Sequence, residues 1–185
     1  RVQGKAESLI EEFMLLANEC VAAHMQKNGL GCVYRIHEKP AREDIARLEE
    51  LATNLGIKWR AGNSPEPRAF QRLIELSEDI PAKALLQTSA LRTMTKARYS
   101  EKPIGHFGLA LRDYCHFTSP IRRYPDLLVH RLLHFSFDGR ADSGSCHKLQ
   151  QELPERAAAC SACELNAASA EREADNLLKC AYMLS

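Results

Sequence analysis

The chain has 185 residues, 45% hydrophobic and 26% charged, enough for an ordinary globular core. Net charge is +1 at pH 7, so bulk charge gives no reason to expect nucleic acid, and any phosphate site has to be local. No apolar run approaches the roughly 20 residues of a membrane-spanning helix, and no basic, apolar leader marks the chain for secretion.

Seven cysteines, an odd number with several inside helical runs, fit reduced thiols and a cytoplasmic location. The sequence opens on Arg1 rather than Met, and begins and ends on strong helical patterns. It reads as an excised part of a longer protein.

Residues 6–26 predict an amphipathic helix lined by Leu9, Ile10, Phe13, Met14, Ala17, Cys20 and Val21. Glu7, Glu11 and Asn18 share the other side, with Glu12 and Glu19 beside them, a pattern that a solvated face explains by itself. Asn28, Gly29 and Gly31 close this helix. Residues 32–36 predict a short strand, and His37 to Pro40 a turn. His37 has no metal-ligating partner at useful spacing and is expected to be a structural, hydrogen-bonding histidine.

A second helix is expected over 41–55, ended by Gly56, then a loop over 60–67 with Gly62, Asn63, Ser64, Pro65 and Pro67. Two more helices follow, over 69–77 and 81–89, with Pro81 at the first helical position of the latter. Leu48, Leu51, Leu55, Leu73, Ile74, Leu76, Leu85 and Leu86 supply their core faces. Trp59 and Phe70 are read as packing residues. Residues 94–99 and 106–111 alternate imperfectly and predict strands around a turn at Lys102-Pro103-Ile104-Gly105.

The stretch HFTSPIRRYPDLLVHRLL, residues 116–133, organises the rest. Ser119 and Pro120 read as a helix N-cap and first helical residue. Pro125 offers an alternative, a separate turn followed by a helix starting at Pro125. Either way Arg122 and Arg123 project from a tight corner, at the end of a helix where the macrodipole favours anions. Phosphate is the obvious guest, although an ordinary surface pair between Arg122 and Asp126 would also account for one arginine. Tyr124, Leu128, Leu132 and Phe135 make one face apolar. A loop over 138–145 leads into helix over 146–184, with a break near Pro154. Cys160 and Cys163 form a CxxC inside a helical run, without a second ligand pair nearby, and read as structural thiols. The whole is expected to be α+β, mostly helical, with a few short strands near 32–36 and 94–117, and no linker or repeat divides it.

The stretch 116–133 resembles the signature of the ribonuclease II/ribonuclease R (RNB) family of exoribonucleases. The preceding YSEKPIGHFGLALRDYCHF is also similar to that family, as are LIEEFMLLANECVAAHM and CVYRIHEKP, in the same order. The similarity covers most of 1–133 and suggests the C-terminal part of an RNB catalytic domain, residues 1–185, without its upstream half and flanking RNA-binding modules. It implies hydrolysis of RNA from a single-stranded 3′ end with release of nucleoside 5′-monophosphates. It further implies that Arg122 contacts the scissile phosphate and that Arg123 supports phosphate binding. Glu11, or Glu12 beside it, would contact ribose, Glu171 would lie near the RNA end, and Ser119 could offer a hydroxyl or helix-start amides.

Members use divalent cations such as Mg2+, held by a closely spaced aspartate cluster that this chain lacks. The fragment alone is therefore expected to be inactive and, with apolar surface left uncovered, prone to self-association. A non-catalytic RNA-binding or scaffold protein with the same fold is the alternative.

Overall fold

In the computed structural model, residues 4–62 and 65–184 are described. Asn63 and Ser64 of the expected loop lie outside the described residues. The elements in chain order are α1 (Lys5–Lys27), β1 (Tyr34–Ile36), α2 (Arg42–Asn54), α3 (Pro67–Leu76), α4 (Lys83–Thr93), β2 (Arg98–Ser100), a short 3-10 helix (Phe107–Leu109), α5 (Tyr124–Phe137), α6 (Gly144–Gln151) and α7 (Leu153–Leu184). The two strands pair in a two-stranded sheet. The fold is the expected mostly helical α+β.

The described residues form two compact units that interleave along the chain, so no linker separates them. One comprises 4–34, 99–102 and 115–184, the other 35–98 and 103–114.

The second unit is built on α2, α3 and α4. Ile45, Leu48 and Ala52 recur at helical spacing and bury one face of α2 against a core that includes Phe70, Leu73, Leu86 and Phe107. Trp59 and Phe70 meet edge-on at 5.8 Å, and Phe70 and Phe107 at 5.7 Å, the geometry that aromatic quadrupoles prefer. The Trp59 indole N–H donates to the Ala69 carbonyl at 2.8 Å. Both aromatics are packing residues. Of the expected core leucines, Leu48, Leu73 and Leu86 are buried and Leu51 and Leu55 pack against the core. Ile74, Leu76 and Leu85 are exposed.

Two further expectations in this unit fail. Pro81 is not the first residue of α4. The cap is Ala82, and a turn closed by Lys83 N–H to Ile80 O at 3.1 Å precedes the helix, which runs on to Thr93. Residues 106–111 are not a strand. Ala110 takes a left-handed conformation at φ 57° after the 3-10 turn, and the chain folds back so that His106 N–H donates to Leu111 O at 2.8 Å. The period-2 alternation there records a tight loop. The strand expected over 94–99 shortens to Arg98–Ser100.

The first unit carries residues 116–133. Its buried side chains include Met25, Val33, Leu128, Leu132 and Leu153. A Cβ on Gly31 would lie 2.8 Å from Leu153 Cδ1, so glycine there allows the close approach of the chain after α1 to the start of α7. The apolar stripe expected on α1 is not its buried face. Asn18, Ala22 and Met25 are buried, whereas Leu9, Ile10 and Phe13 are 56, 57 and 59% exposed. Packing in this unit engages the C-terminal half of the helix and selects that spacing of four and three. Cys32 and Cys115 are buried free thiols. A hydrogen bond with Cys115, together with burial, pushes the Cys32 thiol well above its ordinary range, which disfavours its reactive thiolate.

Candidate functional site

Residues 115–126 form a corner tied from three sides. The helix does not begin at Ser119. Pro120 to Arg122 form a separate turn, Arg123 is the N-cap of α5, and Pro125 sits in its first turn, where a missing N–H costs nothing. The Ser119 carbonyl accepts from Arg122 N–H at 3.3 Å and Arg123 N–H at 3.1 Å. The Ser119 N–H donates to Asp126 Oδ1 at 2.8 Å. Ser119 therefore shapes the corner through its backbone.

Asp126 is fully buried in the first turn of α5, where a carboxylate is favoured by the helix dipole. Its Oδ1 also accepts from the Arg123 guanidinium at 2.8 Å. The acid thus pairs with Arg123, three residues before it, rather than with Arg122. Arg122 is exposed and makes no ion pair among the described residues. Asp126 Oδ2, Arg123 Nε and Thr118 Oγ1 are buried without a protein hydrogen-bond partner, so the corner retains unmet donor and acceptor capacity.

The approach to the corner is held by α1 and α5. Asn18 Oδ1 accepts from Phe117 N–H at 3.0 Å and Thr118 N–H at 3.3 Å. His130 Nε2 bonds the Phe117 carbonyl at 3.0 Å, and its ring stacks on Phe117 at 4.1 Å. Tyr99 OH meets His116 Nδ1 at 2.9 Å.

Arg122 and Arg123 line a cavity of about 620 Å³, opposite α7. Tyr99 and Tyr124 contribute aromatic surface. Arg156, Cys160, Cys163 and Glu164 come from α7. The Arg156 guanidinium donates to Glu152 Oε2 from Nε at 3.0 Å and from a terminal nitrogen at 2.6 Å. It also donates to Tyr124 OH and lies 5.9 Å from that ring's centre, a cation–π contact. Three guanidinium groups thus converge on one cavity, two of them bonded to carboxylates. Burial, and then the neighbouring Cys163, push the Cys160 thiol up, away from the thiolate that metal binding or redox chemistry needs.

The other expected site residues lie on the two long helices. Glu11 and Glu12 are exposed on α1, and Glu171 is exposed on α7. The carboxylate that α7 brings to the cavity is Glu164. Glu171 is seven residues further along, about 10 Å of helix. Arg156, Asn18 and Glu164 had no motif to mark them. The one available signal was an asparagine at the same spacing as Ala22 and Met25, which becomes legible once the buried face is known.

The chain matches the RNB domain family over residues 1–138. It is 42% identical over 184 residues to ribonuclease R 1 of Lactococcus lactis, covering 99% of this chain and 22% of the relative. It is 40% identical over 189 residues to ribonuclease R of Escherichia coli, covering 98 and 23%. Among solved structures it resembles Mycoplasma genitalium RNase R in complex with ribose-methylated single-stranded RNA, with a TM-score of 0.90 and 32% identity over 97% of this chain and 28% of that one. The chain spans about a quarter of the length of the relatives it matches.

Proposed function

The chain belongs to the RNB domain family, and on that premise we propose that residues 1–185 are the C-terminal part of the catalytic domain of a hydrolytic 3′→5′ exoribonuclease of the ribonuclease R type. Its substrate is the single-stranded 3′ end of RNA, its product nucleoside 5′-monophosphates, and its compartment the cytoplasm. The observation that carries this reading is Arg122, exposed and without an ion pair among the described residues, beside a cavity whose other two guanidinium groups are already bonded to carboxylates.

An unpaired guanidinium on a backbone-braced turn offers a rigid fork to a phosphodiester. As a nucleophile adds, charge builds on the phosphate oxygens, and a donor already in place stabilises it without reorganising. Arg123, fixed by Asp126, adds positive field. Ser119 holds the turn that presents both arginines, and its hydroxyl is a further donor to phosphate. Tyr124, which lines the cavity and is exposed, offers a ring to a base. Glu11 accepts from ribose hydroxyls, and Glu171 lies toward the RNA end.

The expected divalent cation, Mg2+, does not fit the residues present. Among the described residues, no group of three or more His, Cys, Asp or Glu could hold a metal ion. Its ligands would have to come from sequence outside this chain.

The test is Arg122→Lys in the full-length protein. A point charge replaces the fork, so turnover should fall about 10- to 100-fold while RNA affinity stays within about threefold. Single-turnover cleavage and equilibrium binding of a labelled oligoadenylate measure the two. An unchanged cleavage rate would remove Arg122 from catalysis. RNA binding without cleavage by the unmodified protein would favour a non-catalytic RNA-binding role.

A further inference from the structure

We propose that Asn18 is a positioning residue that sets the arginine corner in register with α1; this rests on the function proposed above. Asparagine is a poor choice for a helix interior, and Asn18 is 4% exposed. A buried amide at such a place is costly unless it is hydrogen-bonded, and its side-chain oxygen is bonded by the segment that enters the corner, close to a hundred residues later in the chain.

The side-chain oxygen takes the Phe117 and Thr118 N–H groups, which lie in irregular chain with no helix or strand to satisfy them. The main-chain oxygen of the same residue accepts from the Cys115 thiol at 3.4 Å. From the other side, His130 holds the Phe117 carbonyl. The Phe117–Thr118 peptide is therefore clamped between α1 and α5.

The ties continue without a gap. Ser119 N–H goes to Asp126, and the Ser119 carbonyl takes the Arg122 and Arg123 amides. Releasing Asn18 frees one end of this series while Asp126 still holds the other. Asn18 also fixes the rotation of α1. Glu11 lies seven residues earlier, two turns along nearly the same line of the helix. One amide thus sets both the arginines and the face of α1 that carries Glu11.

The Phe117 and Thr118 amides need an acceptor at the reach of Asn Oδ1. A carboxylate has it, and two N–H donors suit an anion. A serine hydroxyl is too short to meet both amides.

The experiment uses the full-length protein carrying Asn18→Ser, Asn18→Asp or, as a structural control outside the site, Leu153→Ala. The readouts are kcat on saturating 5′-labelled oligoadenylate and hydrogen exchange of the Phe117 and Thr118 amides. Asn18→Ser should lower kcat at least tenfold and speed exchange at those two amides at least tenfold. Asn18→Asp should stay within threefold on both. Leu153→Ala should lower Tm with kcat unchanged.

The proposal is overturned if Asn18→Ser loses no more kcat than Leu153→Ala, or if its two amides remain as slow as in the unmodified protein. Should Asn18→Ser not fold, Asn18→Gln, which keeps the amide but displaces its oxygen by one methylene, takes its place. Loss of kcat together with faster exchange at the two amides supports the proposal, whereas a change in only one of the two readouts, or in neither, overturns it. If the unmodified protein does not cleave, or cleaves equally with Arg122→Ala, the function reading has failed. The exchange data then still report whether Asn18 holds the corner.

Discussion

His37 and His106 meet edge-on at 5.1 Å, and the backbone around them uses their nitrogens. His37 Nε2 donates to the Thr95 carbonyl at 2.7 Å, and Nδ1 accepts from Gly108 N–H at 2.8 Å. The first bond requires the proton on Nε2 and the second requires its absence from Nδ1, which fixes the neutral tautomer. A Cβ on Gly108 would lie 2.7 Å from His37 Nδ1, so glycine there permits the backbone to reach the ring. The histidine is structural, as its lack of spaced metal partners suggested. His106 is pushed down to about 4 by burial first, then by the neighbouring His37 and Arg35. Its folded pKa thus lies below the ordinary 6.5. Between these values the unfolded chain takes up a proton that the folded chain refuses. The stability from neutral His106 is whole above about pH 6.5 and is lost as pH falls toward 4, with nothing further to lose below that. Partial exposure of the ring limits the loss to on the order of 1–2 kcal/mol. Urea unfolding at about pH 7 and pH 5 should show it, and His106→Gln should flatten that part of the slope. Equal slopes in the two proteins would assign the effect elsewhere.

The helices show where sequence periodicity is sufficient and where it is not. α2 was legible to within a residue at each end, because its buried positions repeat at helical spacing and Gly56 follows. The corner was legible only as two alternatives, a helix from Pro120 or a separate turn before Pro125, and the helix begins at Tyr124 after a separate turn. The loop at 106–111 was not legible. Its alternation mimics a strand, and what bends it is His37, a partner 71 residues away in sequence. Asn18 was placed on a solvated face and Arg156 was not singled out for the same reason, as their roles depend on partners 97–100 and 32 residues distant. Amphipathic pattern also overstated burial on α1, and α7 shows the converse. Its buried residues are Leu153 and Ala157, at its start, and Leu177, Leu178 and Tyr182 are 73, 69 and 83% exposed. Replacing these three by Gln, a good helix former, should change the stability of the 185-residue chain by no more than about 0.5 kcal/mol. A fall of many degrees in Tm would mean that this face is buried in solution.

At the scale of the whole molecule, the exposed apolar side chains and the half-equipped site lead to one expectation. Phosphodiester hydrolysis by the proposed route needs an activated water and neutralised phosphate oxygens. Under the proposed function, this chain would supply Arg122 and Arg123 for the second task. Its carboxylates include Asp126, sealed under Arg123, Glu152, tied to Arg156, and single residues on α1 and α7. No cluster among the described residues could hold a hard cation, which takes several oxygen ligands to bind firmly. The 185-residue chain alone should therefore release no mononucleotide from RNA, with or without magnesium. Leu9, Ile10, Phe13 and Leu16 on α1, all more than half exposed, form an uncovered apolar face of the kind that drives association. The purified chain should accordingly self-associate with rising concentration, and sedimentation would read this directly. The decisive assay is incubation with 3′-labelled single-stranded RNA and magnesium or manganese. Release of labelled mononucleotide, abolished by Arg122→Ala, would show that these residues form a complete active site and that the metal ligands lie within them. Absence of release, with activity present in the full-length protein and lost there on Arg122→Ala, would place the arginine half of the site in this chain and the metal half outside it.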